Sequence, residues 1–244
     1  MKLEEKIKQR FLYSKKLNPI KVIYFYSQFL KSALKPRKPN SHWGVDLILN
    51  NIFRNNEKGI YIDIGCHHPF LNNHTYLFHK RGWRGINIDL DFNAVDMFKF
   101  FRPKDFNKQI ALTDNKGEEN LYFYHNRAAK NTISEKFGTQ AKEIKKIKTD
   151  TLNNIILEAN LSDKKIDFLS IDVEGNELNV LKGIDLNKFK PTVVLLEFIL
   201  PDVKEFYQKN INQVMNSPIY KHMITNNYKL INWNHDDLMF MFDE

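Results

Sequence analysis

Five short apolar runs separated by helical stretches constrain this 244-residue chain more than any other feature. They are Ile60 to Ile64, Gly85 to Leu90, the stretch near Gln109 to Leu112, Ile166 to Ile171 and Thr192 to Phe198. Runs that lack polar alternation suit strands covered on both faces, and the helices between them supply the crossovers that parallel pairing needs. The pattern predicts an α/β fold of the Rossmann-like kind, a mostly parallel sheet with helices on both faces. Near the end of the chain, Tyr228 to Trp233 and Leu238 to Phe242 flank the polar turn Asn234-His235-Asp236-Asp237. That arrangement predicts an antiparallel hairpin, which brings the sheet to seven strands.

The alternation begins at Ser41, so residues 41–244 read as one domain and residues 1–40 as an N-terminal helical arm. Ile7, Phe11, Leu12, Ile23, Tyr24, Phe25, Phe29 and Leu30 stand at mixed helical spacing there, and Lys35-Pro36-Arg37-Lys38-Pro39 ends the pattern. Two readings of the arm stay open. It packs on the domain or on a second copy in a homodimer, or its basic and aromatic residues make peripheral contact with a membrane surface. The formal net charge of +8 favours anionic partners, and many of the lysines lie between Lys2 and Lys38, so the charge belongs to the arm rather than to the domain. The longest apolar stretch there, Val22 to Leu30, is far short of the roughly 20 residues that span a bilayer. Cys66 is the single cysteine, so no intramolecular disulfide or cysteine-based zinc site can form, and a reducing, cytoplasmic setting fits.

In a doubly wound sheet the ligand lies beyond the carboxyl ends of the strands, which directs attention to four places. Asp63-Ile64-Gly65-Cys66-His67-His68-Pro69 delivers an acid and then a glycine that lets the backbone approach a ligand closely. No G-x-G-x-x-G signature follows it, so a pyrophosphate loop is not supported. Asp89 ends the next strand, 26 residues after Asp63, where a carboxylate can accept hydrogen bonds from both hydroxyls of a ribose. Asp172-Val173-Glu174-Gly175-Asn176-Glu177 ends a buried strand, and carboxylates there are costly unless they meet donors, a cation or a ligand. Glu197 ends the last parallel strand and brings a third acid to the same rim.

These pieces together resemble the FkbM family of methyltransferases from about Ser41 to Phe198. Similar to the family are Ser41-His42-Trp43-Gly44-Val45-Asp46, Tyr61 to Pro69, Thr75-Tyr76-Leu77-Phe78, Gly82 to Asp89 and Arg102-Pro103-Lys104-Asp105. Most diagnostic is Ile166 to Leu178, continued by Val180-Leu181-Lys182-Gly183. The resemblance implies the class I methyltransferase fold, S-adenosylmethionine as methyl donor and a hydroxyl of a sugar or other metabolite as acceptor. Around the donor it implies Asp63, Gly65, Cys66, His67, Pro69, Thr75, Asp89, Leu90, Ala111, Asp172 and Val173. Cys66 stands where relatives often carry alanine, and Asp89 where they often carry glutamate.

Methyl transfer to a hydroxyl needs alignment and a proton acceptor. Glu174, His68 and Asp172 are the first candidates for that acceptor, with His67 and His74 at the same rim. Asp172, Glu174 and Glu197 also offer hard oxygens to a divalent metal such as Mg²⁺. The expected acceptor is a sugar or glycan. Methylation of an RNA ribose 2′-hydroxyl is the alternative enzyme, although placed lysines for it are not evident and nucleic acid is not the expected partner. A non-catalytic binding protein on the same fold is the other alternative. Asn126 to Lys148, polar and basic, reads as a mobile lid or acceptor loop.

Overall fold

The computed structural model describes residues 8–34, 39–124, 131–200 and 209–243. In chain order the strands are β1 (Ile60–Ile64), β2 (Arg84–Asp89), β3 (Phe106–Gln109), β4 (Ala111–Leu112), β5 (Gly117–Phe123), β6 (Glu143–Asp150), β7 (Phe168–Ile171), β8 (Val193–Glu197), β9 (Tyr228–Asn234) and β10 (Asp237–Phe242). Seven of them form one sheet in the order β3-β2-β1-β7-β8-β10-β9. Pairing is parallel from β3 to β8, and β10 runs antiparallel between β8 and β9. The expected class I methyltransferase architecture is thus present. Winding proceeds outward from β1 in one direction and from β7 in the other, so a crevice opens where the carboxyl ends of these neighbours meet.

Period-two alternation within each strand separates two apolar layers. Ile62, Ile64, Leu169, Ile171, Val194 and Leu196 enter one core, with Leu152, Ile155 and Ile156 from the Leu152–Glu158 helix against them. Tyr61, Phe168, Val193, Leu195 and Met239 enter the other, closed by Val45 and Leu49 of the Val45–Ile52 helix and by Phe78 and Trp83. A strand sequence that is apolar throughout therefore serves both faces at once.

Two sequence expectations are corrected. The single strand expected near Gln109 to Leu112 is two. β3 ends the main sheet, the Ile110 amide donates to the Asp89 carbonyl (3.2 Å), and Ala111–Leu112 starts a second sheet of order β4-β6-β5. The loop expected from Asn126 to Lys148 contains β6, which pairs antiparallel with β5 from Gly117↔Thr149 to Phe123↔Glu143. β6 is exposed along much of its length, so backbone bonds rather than apolar burial hold it and no apolar alternation announces it. Part of that expected loop, residues 126–130, lies outside the described residues.

The arm contributes a π-helical turn at Lys8–Leu12 and the helix Pro19–Leu34. Its inner side packs on the domain. Lys21 is buried against Asp96 (2.5 Å) and the Ser14 carbonyl (3.0 Å), Phe25 meets Phe100 and Phe101, and Phe29 meets Phe70 and Phe101. No helix among the described residues is long and apolar enough to cross a membrane.

Candidate active site

The crevice is shaped first by Gly65. Its φ of +76° turns the chain sharply after β1, and both its amide and that of Cys66 donate to the Ile88 carbonyl (2.9 and 3.1 Å). A Cβ at this position would lie 1.7 Å from the Asp172 carbonyl oxygen, so only glycine lets the ends of β1 and β7 close up. Beside them is a cavity of about 390 Å³, within the usual range for small-molecule sites. Asp63, Gly65, His67, Asp89, Leu90, Ala111, Asp172, Val173, Glu174 and Glu197 all line it, as do His42, His74, Asn131 and Ile133.

Asp89 is held in place at the end of β2. One carboxylate oxygen accepts from the His67 amide and the other from the Asp91 amide, each at 2.7 Å. Each oxygen retains capacity to accept a further hydrogen bond. Burial, with the neighbouring charges of Asp91 and Asp63, pushes its carboxyl up to about 6 even though the two amides oppose the shift.

Asp63 is buried and accepts from Asn73 Nδ2 (2.9 Å) and Thr75 Oγ1 (2.8 Å). Behind this pair lies Arg102, fully buried, which donates to Thr75 Oγ1 (2.8 Å), Asn73 Oδ1 (2.9 Å) and the Pro69 carbonyl (2.7 Å). One guanidinium thereby staples the whole loop that follows Gly65. Thr75 and Pro69 act from this second row and do not line the cavity, and Cys66 is buried off it. Burial and the nearby Asp89 and Asp63 push the Cys66 thiol well up, away from thiolate chemistry.

Across the cavity stand three carboxylates. Asp172, Glu174 and Glu197 each place one oxygen within 4.8 Å of the others. Asp172 and Glu197 are hydrogen-bonded to one another, and burial together with the charges of Asp172 and Glu174 pushes Glu197 up to about 11. Burial and the charges of Glu174 and Asp237 likewise hold Asp172 well above the usual carboxylate range. At neutral pH the cluster therefore keeps at least one proton, held between Glu197 and Asp172. Glu197 Oε2 is buried and has no hydrogen-bond partner among the described residues.

The turn that carries Glu174 is strained and clamped. Glu174 has φ +56° and Gly175 φ +95°. Glu177 accepts from the Val173 and Gly175 amides (3.2 and 2.9 Å) and so organises the turn from below. From above, Thr132 Oγ1 donates to the Glu174 carbonyl (2.9 Å), and the Phe137 ring packs where a Cβ on Gly175 would sit. In its described part the segment expected to be an acceptor loop lines the cavity through Asn131 and Ile133 and also clamps the acidic turn.

The histidines divide. His74 lines the cavity with Nδ1 3.0 Å from Ser170 Oγ, and His42 and His67 line it too. His68, expected as a catalytic group, is buried away from the cavity, where its Nδ1 accepts from the Phe70 and Leu71 amides (3.2 Å each) and shapes the loop. Sequence reasoning did not single out Asn73, Asn131, Ile133 or His42, and it met Arg102 only within a matching motif. Among the described residues lining the cavity there is no lysine or arginine.

The family model of the methyltransferase FkbM domain matches residues 63–226, about two thirds of the chain. A search of curated protein sequences finds no match. Among solved structures, a TehB-like SAM-dependent methyltransferase from Corynebacterium glutamicum is similar at 10% identity and a TM-score of 0.42, over 93% of this chain and 100% of that one. Since the matched residues run from Asp63 past Glu197 and so take in both walls of the cleft, this chain belongs to the FkbM family and is an S-adenosylmethionine-dependent methyltransferase.

Proposed function

We propose that the chain transfers a methyl group to a hydroxyl oxygen, and that the acceptor is a sugar or glycan. The observation that carries this reading is the proton-holding cluster of Asp172, Glu174 and Glu197, set across the cavity from Gly65 and Asp89. An alcohol must lose a proton as it is methylated, and a carboxylate at this rim can take it. Bound S-adenosylmethionine supplies the electrophilic methyl on its sulfonium. Asp89 accepts hydrogen bonds from the ribose hydroxyls, Asp63 and the Gly65 turn receive the methionine end, and the Ile110 to Leu112 edge covers the adenine. On the acceptor side Asp172 and Glu197 hold a proton between them, which leaves Glu174 as the group that removes the hydroxyl proton.

A sugar is supported by Trp43. It is 60% exposed at φ +54°, stacked on His235 at 3.9 Å and 12°, with its carbonyl accepting from Asn234 Nδ2 (2.9 Å). Trp43 adjoins His42, which lines the cavity, and the uncovered part of its ring offers a flat face for the C–H side of a pyranose, while histidines and carboxylates in the cavity meet its hydroxyls. RNA is disfavoured because its phosphates would meet acids and no lysine or arginine along the described lining. The buried Cys66 suits a reducing, cytoplasmic setting.

A second reading of the acidic cluster is a Mg²⁺ site. Three oxygens within 4.8 Å of one another are a candidate ligand set for one divalent cation, and since ligands near 2.1 Å from one ion lie at most about 4.2 Å apart, the side chains would draw together on binding Mg²⁺. Calorimetric titration with S-adenosylmethionine and S-adenosylhomocysteine, with and without Mg²⁺, tests both layers. Micromolar cofactor binding followed by labelled methyl transfer to sugars or nucleotide sugars supports the proposal. Transfer only to RNA refutes the acceptor, and Mg²⁺ binding with proton release assigns the cluster to metal.

A further inference from the structure

The helix Pro19–Leu34 has a second apolar side that nothing among the described residues covers. Lys21 and Phe25 face inward and are buried. Ile20, Ile23, Leu30 and Leu34 are 42, 68, 53 and 78% exposed. At 100° per residue these four fall in one sector of roughly 80°, opposite Phe25. Tyr26 borders the sector and Leu17 precedes it, both about half exposed.

The charge around this stripe is one-sided. Residues 1–40 hold eleven Lys and Arg against two Asp and Glu, whereas the remaining 204 hold 26 against 27. The whole positive excess of the protein therefore belongs to this segment of the sequence. No acidic residue occurs between Glu5 and Asp46, and the side chains of Arg10, Lys15, Lys16 and Lys31 are exposed.

We infer that the outer face of this helix docks the enzyme on an anionic lipid surface. A helix lying in the plane of the bilayer needs an aliphatic stripe to enter the headgroup boundary and basic side chains at its edge, and this face has both. Sixteen residues are too few to span the bilayer, so the contact is peripheral. A second copy is a poor occupant because pairing through this face would bring two strongly positive arms together. A nucleic acid would use the lysines and leave the isoleucines and leucines without a partner. The inner side of the same helix touches the cofactor loop, with the Phe29 and Phe70 ring centroids 5.5 Å apart. Docking stands on the helix alone; that it brings the cleft to a lipid-borne sugar rests on the proposed acceptor.

The test is co-sedimentation of the full chain with phosphatidylcholine vesicles and with vesicles carrying about a third phosphatidylglycerol. The wild type is expected to bind the anionic vesicles, more weakly at high salt, since each basic side chain near the surface contributes roughly five-fold to partition. The double variants Ile23→Asp/Leu30→Asp and Lys15→Glu/Lys16→Glu each lower the partition at least ten-fold. Their thermal midpoints and cofactor affinity stay at the wild-type values, because the altered side chains are exposed. The inference is overturned if the wild type stays in the supernatant, or if both variants bind as it does. It is equally overturned if the wild type is a dimer that Ile23→Asp/Leu30→Asp makes monomeric. Loss of cofactor binding in a wild type that still sediments with vesicles would count against the catalytic reading and leave docking intact.

Discussion

Replacing Glu197 by glutamine should stabilise the protein at alkaline pH and do little at acid pH. Glu197 has an ordinary value near 4.5 and is pushed up to about 11 in the fold, first by burial and then by Asp172 and Glu174. The unfolded chain releases this proton above pH 4.5 while the folded chain keeps it. A carboxyl raised in this way lends its full stability below the unfolded value, and that stability falls as pH climbs toward the folded one. The loss is about 1.4 kcal/mol per pH unit, or about 4 kcal/mol between pH 5 and pH 8. That difference hardly depends on where above pH 8 the folded value lies. Glutamine keeps the shape and can donate its amide to Asp172, but it has no proton to lose on unfolding. Urea denaturation of both proteins at pH 5 and pH 8 reads the difference directly. The variant should gain several kcal/mol over the wild type at pH 8 and little at pH 5. An equal increment at both pH values would refute the proton-holding cluster, whatever its sign.

Three further outcomes follow from the cofactor wall. Asp89→Ala should weaken S-adenosylmethionine binding by about 1–3 kcal/mol in a folded protein, and wild-type affinity should fall as pH drops below about 6, where Asp89 takes up a proton and loses acceptor capacity; a flat calorimetric profile from pH 5 to 7.5 would contradict the assignment. Gly65→Ala places a Cβ against the Asp172 carbonyl at a positive φ, so it should cost at least about 2 kcal/mol in stability and abolish cofactor binding; a wild-type melting temperature would remove that reasoning. Arg102→Met takes a buried donor from each of Thr75, Asn73 and the Pro69 carbonyl, at about 1–3 kcal/mol per group, and should cost at least about 3 kcal/mol. Arg102→Lys should restore little of it, because an ammonium cannot reach these acceptors as a planar fork does, and denaturation curves of the two variants compare them.

What could be read beforehand and what could not divide along a physical line. β1 was legible to the residue because the run Ile60 to Ile64 feeds both cores and stops at Gly65, where a positive φ turns the chain. From the strand order alone it follows that Asp63, Gly65, Asp89, Asp172 and Glu197 share one rim, since the carboxyl ends of parallel strands must meet there. β6 left no such trace because it is held by backbone pairing and keeps several lysines in solvent. His68 shows the same limit at the scale of a side chain. The chain after β1 carries His67, His68 and His74, and no pattern in a loop says which ring faces the cavity. That was decided by contacts between residues distant in sequence, with His67 at φ +49° over Asp89 and His74 against Ser170. Arg102 is the sharper instance. In Arg102-Pro103-Lys104-Asp105 it is one charge among three of a matching motif, and its burial is favourable because the loop from Pro69 to Thr75 turns three acceptors toward it. A residue whose partners are supplied by another loop becomes recognisable only once that loop is folded, whereas a strand-end carboxylate carries its position in the topology.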